Sequence, residues 1–494
     1  MRILIDTNII IHLEDSSRVL EESFAEVLRL CQKNNHLLLV HPASVEDIQK
    51  DSDTRRQLIS VSRLKKYNVL EKPPIPNNED LLSLDLKTSS DNDRIDNLIL
   101  FSIYKNAANI LITEDREIHK KAKALGLTDS VHYVQQAAIF LRRLHSEIPI
   151  SLPDIQEVSL YNINLKDTFF DTLRQDYPGY DEWFNKASRA GRKAWVYKSG
   201  DQDIKAICIY KIETNPLVTD DNQAIEGQVL KLCTFKVGEP VRGIKIGELF
   251  FKAAFRYATD NKREHIYLTM NPHKQAYLMD LCLDFGFKYI GTHKGDHVYV
   301  KEHPAKPVIS DLPAVEYHKR YFPHFKCQPE INKFILPILP SYHRILFPDN
   351  QLQADFLNSL APGNAIKQAY LSNASLNKIS PGDVLLFYRS RDLRAITSIG
   401  VVEVAETLSD ADKIAQMVSK RTVYSYDDIK KMANKETKVI LFRLALHLGQ
   451  PLPYQWLLEE GIINGYVQTI TQISDTSFKK IASKWGINNC VYAD

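Results

Sequence analysis

The opening stretch Met1-Arg2-Ile3-Leu4-Ile5-Asp6 (MRILID, residues 1–6) is a short apolar run that stops on a carboxylate. Two later stretches resemble it, HLLLVHP at 36–42 and NILITED at 109–115. Short, continuous aliphatic runs of this kind suit strands buried on both faces. Helical patterns alternate with them: EESFAEVLRLCQK (21–33), SVEDIQKDSDTRRQLISVSRLKKY (44–67), RIDNLILFSIYKNA (94–107) and REIHKKAKALGL (116–127). The alternation predicts a parallel α/β sheet covered on both sides. Ligands of such sheets bind beyond the carboxyl ends of the strands. Acids collect at those ends. Asp6 closes the first run, Glu46 follows the second across Pro42, and Glu114-Asp115 closes the third. Asp93 and Asp96, three apart at a helix start, share one helix face.

Outward from this region, 494 residues are too many for a single core, and two to four domains are expected. Proline-rich passages around 149–153 and from 303 to 340 mark boundaries, because proline removes a backbone donor and is unsuited to long helices or inner strands. The expected division is 1–148, 149–305, a proline-rich connector at 306–334, and 335–494, an α/β multidomain chain. A hydrophobic fraction of 44% and a charged fraction of 25% exclude a largely disordered or fibrous protein. With a net charge of +2, any affinity for nucleic acid has to come from local basic surface. The six cysteines contain no C-x-x-C pair, which argues against thiolate metal sites and a disulfide framework. No signal-peptide pattern or membrane-length apolar run is present, so a soluble, cytoplasmic protein is expected.

For each acid taken alone, helix capping or solvation is the simpler reading. Four acids converging on one sheet edge are different. Like charges at about 4 Å repel by several kcal/mol at an effective dielectric near 20, and cations relieve the repulsion. Oxygen ligands select Mg²⁺ or Mn²⁺, and a carboxylate-held metal pair suits phosphodiester hydrolysis. Ile5-Asp6-Thr7-Asn8, Glu46, Asp96 and Thr113-Glu114-Asp115, in this order, resemble the PIN-domain nucleases over about the first 145 residues. The resemblance implies a metal-dependent endoribonuclease, as in toxin-type and RNA-processing members, with an inhibitory protein as a partner. Carried over by position, Asp6, Glu46, Asp96 and Asp115 are the catalytic, metal-binding acids. Thr7, Asn8 and Thr113 support that shell. Asp93 is either an extra ligand or a helix N-terminal residue.

The middle segment changes character. KAWVYKSGDQDIKAICIYKIE (193–213) reads as a hairpin turning at Gly200-Asp201. The strand VLKLCTF (229–235) then leads through Arg242-Gly243-Ile244-Lys245-Ile246-Gly247 into the helix GELFFKAAFRYATDN (247–261). A helix N-terminus offers free N–H groups to a phosphate, and glycine permits close approach. A glycine turn before a helix is by itself only a tight turn. The order that follows, HIYLTM (265–270), Asn271, a helix and Phe285-Gly286-Phe287, resembles the GNAT acyltransferases over about 155–302, an α+β fold. That resemblance implies acetyl-CoA binding, with pantetheine along Leu232, Thr234, Phe235 and Val237, pyrophosphate on the backbone of 242–247, and Asn271 as a further contact to the coenzyme. Two departures stand out. Lys245 occupies the position of the loop's middle glycine, and Leu281, next to Cys282, stands where many members carry a tyrosine as general acid. Glu239, Glu248 and nearby histidines remain open as general base.

In the last segment, cations from Lys378 onward interleave with Phe387, Tyr388, Tyr424 and Tyr426. This pattern serves either a solvated basic face or single-stranded nucleic acid. KISPGDVLLFYRSRDLRAITSIGVVEV (378–404) resembles the ASCH/EVE-like branch of the PUA superfamily, which implies a β-barrel-like α+β domain recognising RNA or a modified base. Tyr388, Arg389, Ser390 and Arg391 are the expected contacts, with 465–470 as a second wall. The leading expectation is therefore an Mg²⁺/Mn²⁺ endoribonuclease with an acetyl-CoA-binding domain and an RNA-recognition domain. Two alternatives differ in class. One is an N-acetyltransferase acting on protein or RNA with a binding-only N-terminal domain; the other is a CoA-responsive RNA-binding regulator without catalysis.

Overall fold

A computed structural model describes residues 1–6, 9, 18–49, 64, 66–88, 90–145, 154–198, 203–241, 245–348, 365–375, 378–421, 423–488 and 490–491. The chain forms two compact units. Unit 1 is 1–150 with 407–439, and unit 2 is 151–406 with 440–494.

In unit 1, β1 (Arg2–Ile5), β2 (Leu37–Val40), β3 (Asn68–Val69), β4 (Ile110–Ile112) and β5 (Val131–His132) make an all-parallel sheet of order β3-β2-β1-β4-β5. Leu4, Leu39 and Leu111 are buried in a core shared with Ile95, Ile99 and Ile103, as the apolar runs predict. The helices are α1 (Arg18–Lys33), α2 (Pro42–Gln49), α3 (Asp91–Tyr104), α4 (Arg116–Ala124) and α5 (Val134–His145). Most of the helical pattern at 44–67 lies outside the described residues, α2 being its start. Chain order reverses between β1 and β4, so the crevice of a doubly wound sheet falls between their ends. The helices Ala411–Met417 and Tyr426–Ala433 also belong to this unit. Ser419 Oγ donates to the Asp129 carbonyl at 2.7 Å, and Gln416 Nε2 to Ser130 Oγ at 2.8 Å.

Unit 2 contains two sheets of interest. The first has seven strands in the order β11-β12-β10-β9-β8-β7-β6: β6 (Ile155–Ser159), β7 (Lys193–Lys198), β8 (Ile204–Thr214), β9 (Gln228–Val237), β10 (His265–Met270), β11 (Lys288–His293) and β12 (Asp296–Glu302). β7 and β8 pair antiparallel as the hairpin reading predicts, and the turn at Gly200-Asp201 lies outside the described residues. Helices α6 (Tyr180–Arg189), α7 (Ile246–Asp260) and α8 (Ala276–Asp284) accompany this sheet. Phe250, Phe251 and Phe255 of α7 are buried against Leu230, Leu232 and Leu268.

After the two-residue β13 (Phe325–Lys326), the second sheet is built from β14 (Lys333–Ile338), β15 (Lys367–Ser372), β16 (Val384–Arg389), β17 (Ala395–Leu408), β18 (Thr437–Pro453) and β19 (Thr471–Ile473). Its order is β15-β18-β17-β16-β14-β19, with the two-residue β20 (Cys490–Val491) pairing β13 outside it. This order is linear. Among the described residues no pairing joins β15 to β19, so the expected barrel-like closure is not shown. Two expectations are corrected. β14 lies inside a sheet despite Pro337, which is tolerated because β19 pairs β14 only over Lys333–Ile335. Cys327 and Cys490 form a disulfide across 163 residues, because β13 and β20 run side by side with Cα atoms 5.9 Å apart. Sequence spacing carried no sign of that contact.

Candidate functional site

At the crevice of unit 1, Asp6 is buried and its Oδ2 accepts a 2.6 Å hydrogen bond from Thr113 Oγ1. Thr113 Oγ1 also accepts the Asp115 N–H at 3.0 Å, so the threonine ties the ends of β1 and β4 together. Burial raises the Asp96 carboxyl to about 6. Lys121 opposes this, while the negative charges of Asp115 and then Asp6 add to it. Asp96 therefore feels the charges of the other two expected acids. The remainder departs from the expectation. Asp115 Oδ1 caps α4 by accepting the N–H groups of Glu117 and Ile118. Asp93 sits in the first turn of α3, accepting from Ser90 Oγ at 3.1 Å while its N–H donates back to that oxygen. The Lys121 ammonium lies 3.0 Å from Asp93 and 3.5 Å from Asp96. A cation is thus already present, supplied by the chain. Among the described residues no group of three or more His, Cys, Asp or Glu is arranged to hold a metal, and the expected four-acid Mg²⁺/Mn²⁺ centre includes a side chain outside them. Glu46 lies on α2, but its side chain, like Thr7 and Asn8, falls outside the described residues.

In unit 2, β9 and β10 run parallel but are registered only from Leu230–Leu232 to Ile266–Leu268. Beyond that point Thr234 to Val237 remain with β8, while Thr269 and Met270 remain with β12. A register shift at Ile209/Tyr210, opposite Cys233, marks where β9 turns away. The two central strands part, and the β9–β10 register does not continue past Leu232 and Leu268. A strand edge accepts an extended chain of amides. Nearby, α7 begins after Lys245, whose φ of 64° is left-handed. A Cβ on Gly247 would lie 2.8 Å from the Leu281 side chain, so glycine lets the first turn of α7 press against α8. Ile246 is core, and Arg242, Gly243 and Ile244 lie outside the described residues. The Lys245 Nζ donates to the Lys367 carbonyl at 3.1 Å. Asn271 Oδ1 accepts the N–H groups of His273 and Lys274, a turn-forming role. Cys282 is fully buried and its thiol is pushed well above the ordinary range by that burial, so neither it nor Leu281 supplies a ready proton.

The third place is a cavity of about 650 Å³ at the carboxyl ends of the parallel pair β14 and β16. Tyr388, Ser390 and Arg391 line it, and the passage flagged at 465–470 contributes Tyr466, Val467, Gln468 and Thr469. Arg389 does not line it; its guanidinium is held by Asp392, with Nε 3.0 Å from Oδ1. Sequence reading missed the far wall, Tyr370, Ser372 and Asn373 at the end of β15, because only the fold brings that strand here. Tyr466 is 63% exposed and stacks on Tyr454 with ring planes 6° apart and centroids 4.9 Å apart. The Arg394 guanidinium lies 5.4 Å from the Tyr466 ring. A rigid aromatic face, two arginines and several amide and hydroxyl groups suit a flat, hydrogen-bonding, anion-bearing ligand.

No family model and no curated protein matches this sequence. Among solved structures, the ASCH protein of Zymomonas mobilis is 12% identical, over 31% of this chain and 94% of its own, with a TM-score of 0.24. A GNAT-family acetyltransferase of Staphylococcus aureus is 16% identical, over 30% of this chain and 98% of its own, with a TM-score of 0.24. A GNAT-family N-acetyltransferase of Escherichia coli, in complex with CoA, is 12% identical over 32% of this chain and 85% of its own, with a TM-score of 0.24. These neighbours are ASCH and GNAT folds, each matched over about 30% of this chain. No helix among the described residues is long and apolar enough to cross a membrane.

Proposed function

We infer that this chain is an acyl-CoA-dependent N-acyltransferase whose C-terminal cavity recognises RNA. The observation that carries this reading is the parting of β9 from β10. Pantetheine amides would add along β9 beyond Leu232, where its register with β10 ends, as a further strand, and the diphosphate would meet the N-terminus of α7. The thioester carbonyl then lies where the strands diverge. An amine attacks its carbon, the carbon–sulfur bond breaks, and CoA leaves as the thiol. The cavity beside Tyr466 takes an unstacked base, with Arg391 or Arg394 near its phosphate. Calorimetric titration with CoA, followed by transfer of label from acetyl-CoA to RNA or protein, tests the proposal. Tight CoA binding with no transfer to any acceptor favours the regulator without catalysis, and absence of CoA binding refutes the reading. For the cavity, Tyr466→Ala should weaken an oligoribonucleotide by about tenfold, the loss of one stacked base, without lowering Tm. Unchanged affinity removes the cavity from RNA recognition.

The nuclease reading is retained as a second proposal because the charges of Asp115 and Asp6 both act on Asp96. It requires a divalent ion to compete with Lys121. RNA cleavage in Mn²⁺ that disappears in both Asp6→Asn and Asp96→Asn supports it, and cleavage that survives both substitutions dismisses it.

A further inference from the structure

Within unit 2, the strand that forms one wall of the cavity is also tied to the α7–α8 side of the acyl-CoA region. Lys367, the first residue of β15, places its Nζ 2.8 Å from Asp284 Oδ2, at the end of α8. Asp284 Oδ1 is 2.8 Å from Arg443 of β18, whose Nε pairs with Glu403 of β17. The Arg443 side chain is 3% exposed and its guanidinium lies 5.2 Å from the Phe285 ring. Charges this deeply buried persist only when paired, and removal of one strands the others. The backbone of Lys367 carries a separate tie, for its carbonyl oxygen accepts the Lys245 ammonium at 3.1 Å. Five residues further along β15, Ser372 lines the cavity, as does Tyr370, whose hydroxyl donates to the Pro337 carbonyl at 2.8 Å.

Lys245 is the residue that caps the N-terminus of α7. Its backbone stands where a diphosphate would be received, while its ammonium is turned away onto β15. A phosphate oxygen is a stronger acceptor for an ammonium than a neutral carbonyl.

We propose that Lys245 is a tether with two stations, the Lys367 carbonyl in the free protein and a phosphate oxygen of the coenzyme in the complex, so that filling the acyl-CoA site loosens β15 and the cavity wall it forms. This rests on the acyl-CoA reading and adds regulation to it. The two ligands are then coupled, and the coupling is reciprocal: a ligand that holds β15 in its present position weakens CoA, as CoA weakens that ligand. The ion cluster around Asp284 stays intact in both states and acts as the fixed pivot.

The test is hydrogen exchange of the backbone amides of 365–375 in the full chain, with and without saturating CoA, beside a CoA titration. In the unaltered protein, CoA should speed exchange in this segment at least threefold. In Lys245→Met, exchange there should already be fast without CoA, CoA should bind about fivefold more weakly, and its addition should change exchange in 365–375 no further. Lys245→Gln serves as the second variant should the first fail to fold. CoA that binds the unaltered protein but leaves 365–375 unchanged overturns the tether and leaves the acyl-CoA reading standing. CoA that does not bind overturns both.

Discussion

Asp96 illustrates how a single carboxyl separates competing accounts of a site. Its folded pKa of about 6 stands above the ordinary 3.8, chiefly through burial, with Lys121 opposing and Asp115 and Asp6 reinforcing. The folded state therefore takes up a proton near pH 6 that the unfolded chain takes up only near 3.8, and this group's contribution improves as pH falls through 6. At pH 7 the ionised side chain is a cost, so Asp96→Asn should stabilise the metal-free protein by about 1–2 kcal/mol in urea unfolding. A loss of similar size would mean that the Lys121 pair outweighs the burial. If Mn²⁺ raises the Tm of the unaltered protein, Asp96→Asn should abolish that rise. The chain pattern was sufficient to identify Asp6, Asp96 and Asp115 as neighbours, because each closes a strand or opens a helix at one sheet edge. Lys121, twenty-five residues from Asp96, was invisible as their counter-ion, since helix α4 and not sequence proximity carries it there.

Helix α8 and the turn after it show how one element position becomes indispensable. α8 ends at Asp284, and Gly286 reverses the chain with φ 79°. A Cβ at Gly286 would lie 2.1 Å from the Lys319 carbonyl oxygen, a backbone atom that cannot step aside. Gly286→Ala should therefore cost about 3 kcal/mol or more, combining left-handed strain with overlap. The midpoint of urea unfolding reads this directly, and a change below about 1 kcal/mol would show that the helix spanning Ala314–Tyr321 can move. The Phe285-Gly286-Phe287 motif was legible as a motif, with both phenylalanines in the core. The parting of β9 from β10 was not. Strand VLKLCTF reads as one uninterrupted run, and only the pairing register reveals that its match to β10 ends at Leu232.

At the scale of the molecule, the least expected feature is the discontinuous unit 1. The chain leaves the second sheet of unit 2 along β17, contributes two helices beside the β5 edge, and returns along β18. Ser419 Oγ lies 3.1 Å from the fully buried His132. His132 belongs to a set of histidines that burial holds neutral, among them His41 at about 4 and His119, His303, His318 and His343 at about 3. Each takes a proton near 6.5 when unfolded and far lower when folded. Their combined contribution is complete above about pH 6.5 and is lost as pH falls towards 4. Tm should drop by about 5 °C or more between pH 7 and pH 5. Calorimetry showing an unchanged or rising Tm over that interval would contradict the burial of these rings.

Apolar periodicity and strand-end acids, both local properties of the chain, sufficed for the parallel sheet and for the acids at its edge, whereas the residues named from the ASCH/EVE-like resemblance only partly line the cavity, Tyr388, Ser390, Arg391 and 466–469 doing so and Arg389 not. Such signals survive in the sequence because burial on both faces favours continuous apolar runs in the central strands. Long-range contacts leave no comparable trace. The Cys327–Cys490 bridge, the Lys121 counter-ion, the β15 wall and the Lys245–Lys367 tie each join residues far apart in the chain, and only tertiary packing decides which distant charge or backbone group becomes a neighbour.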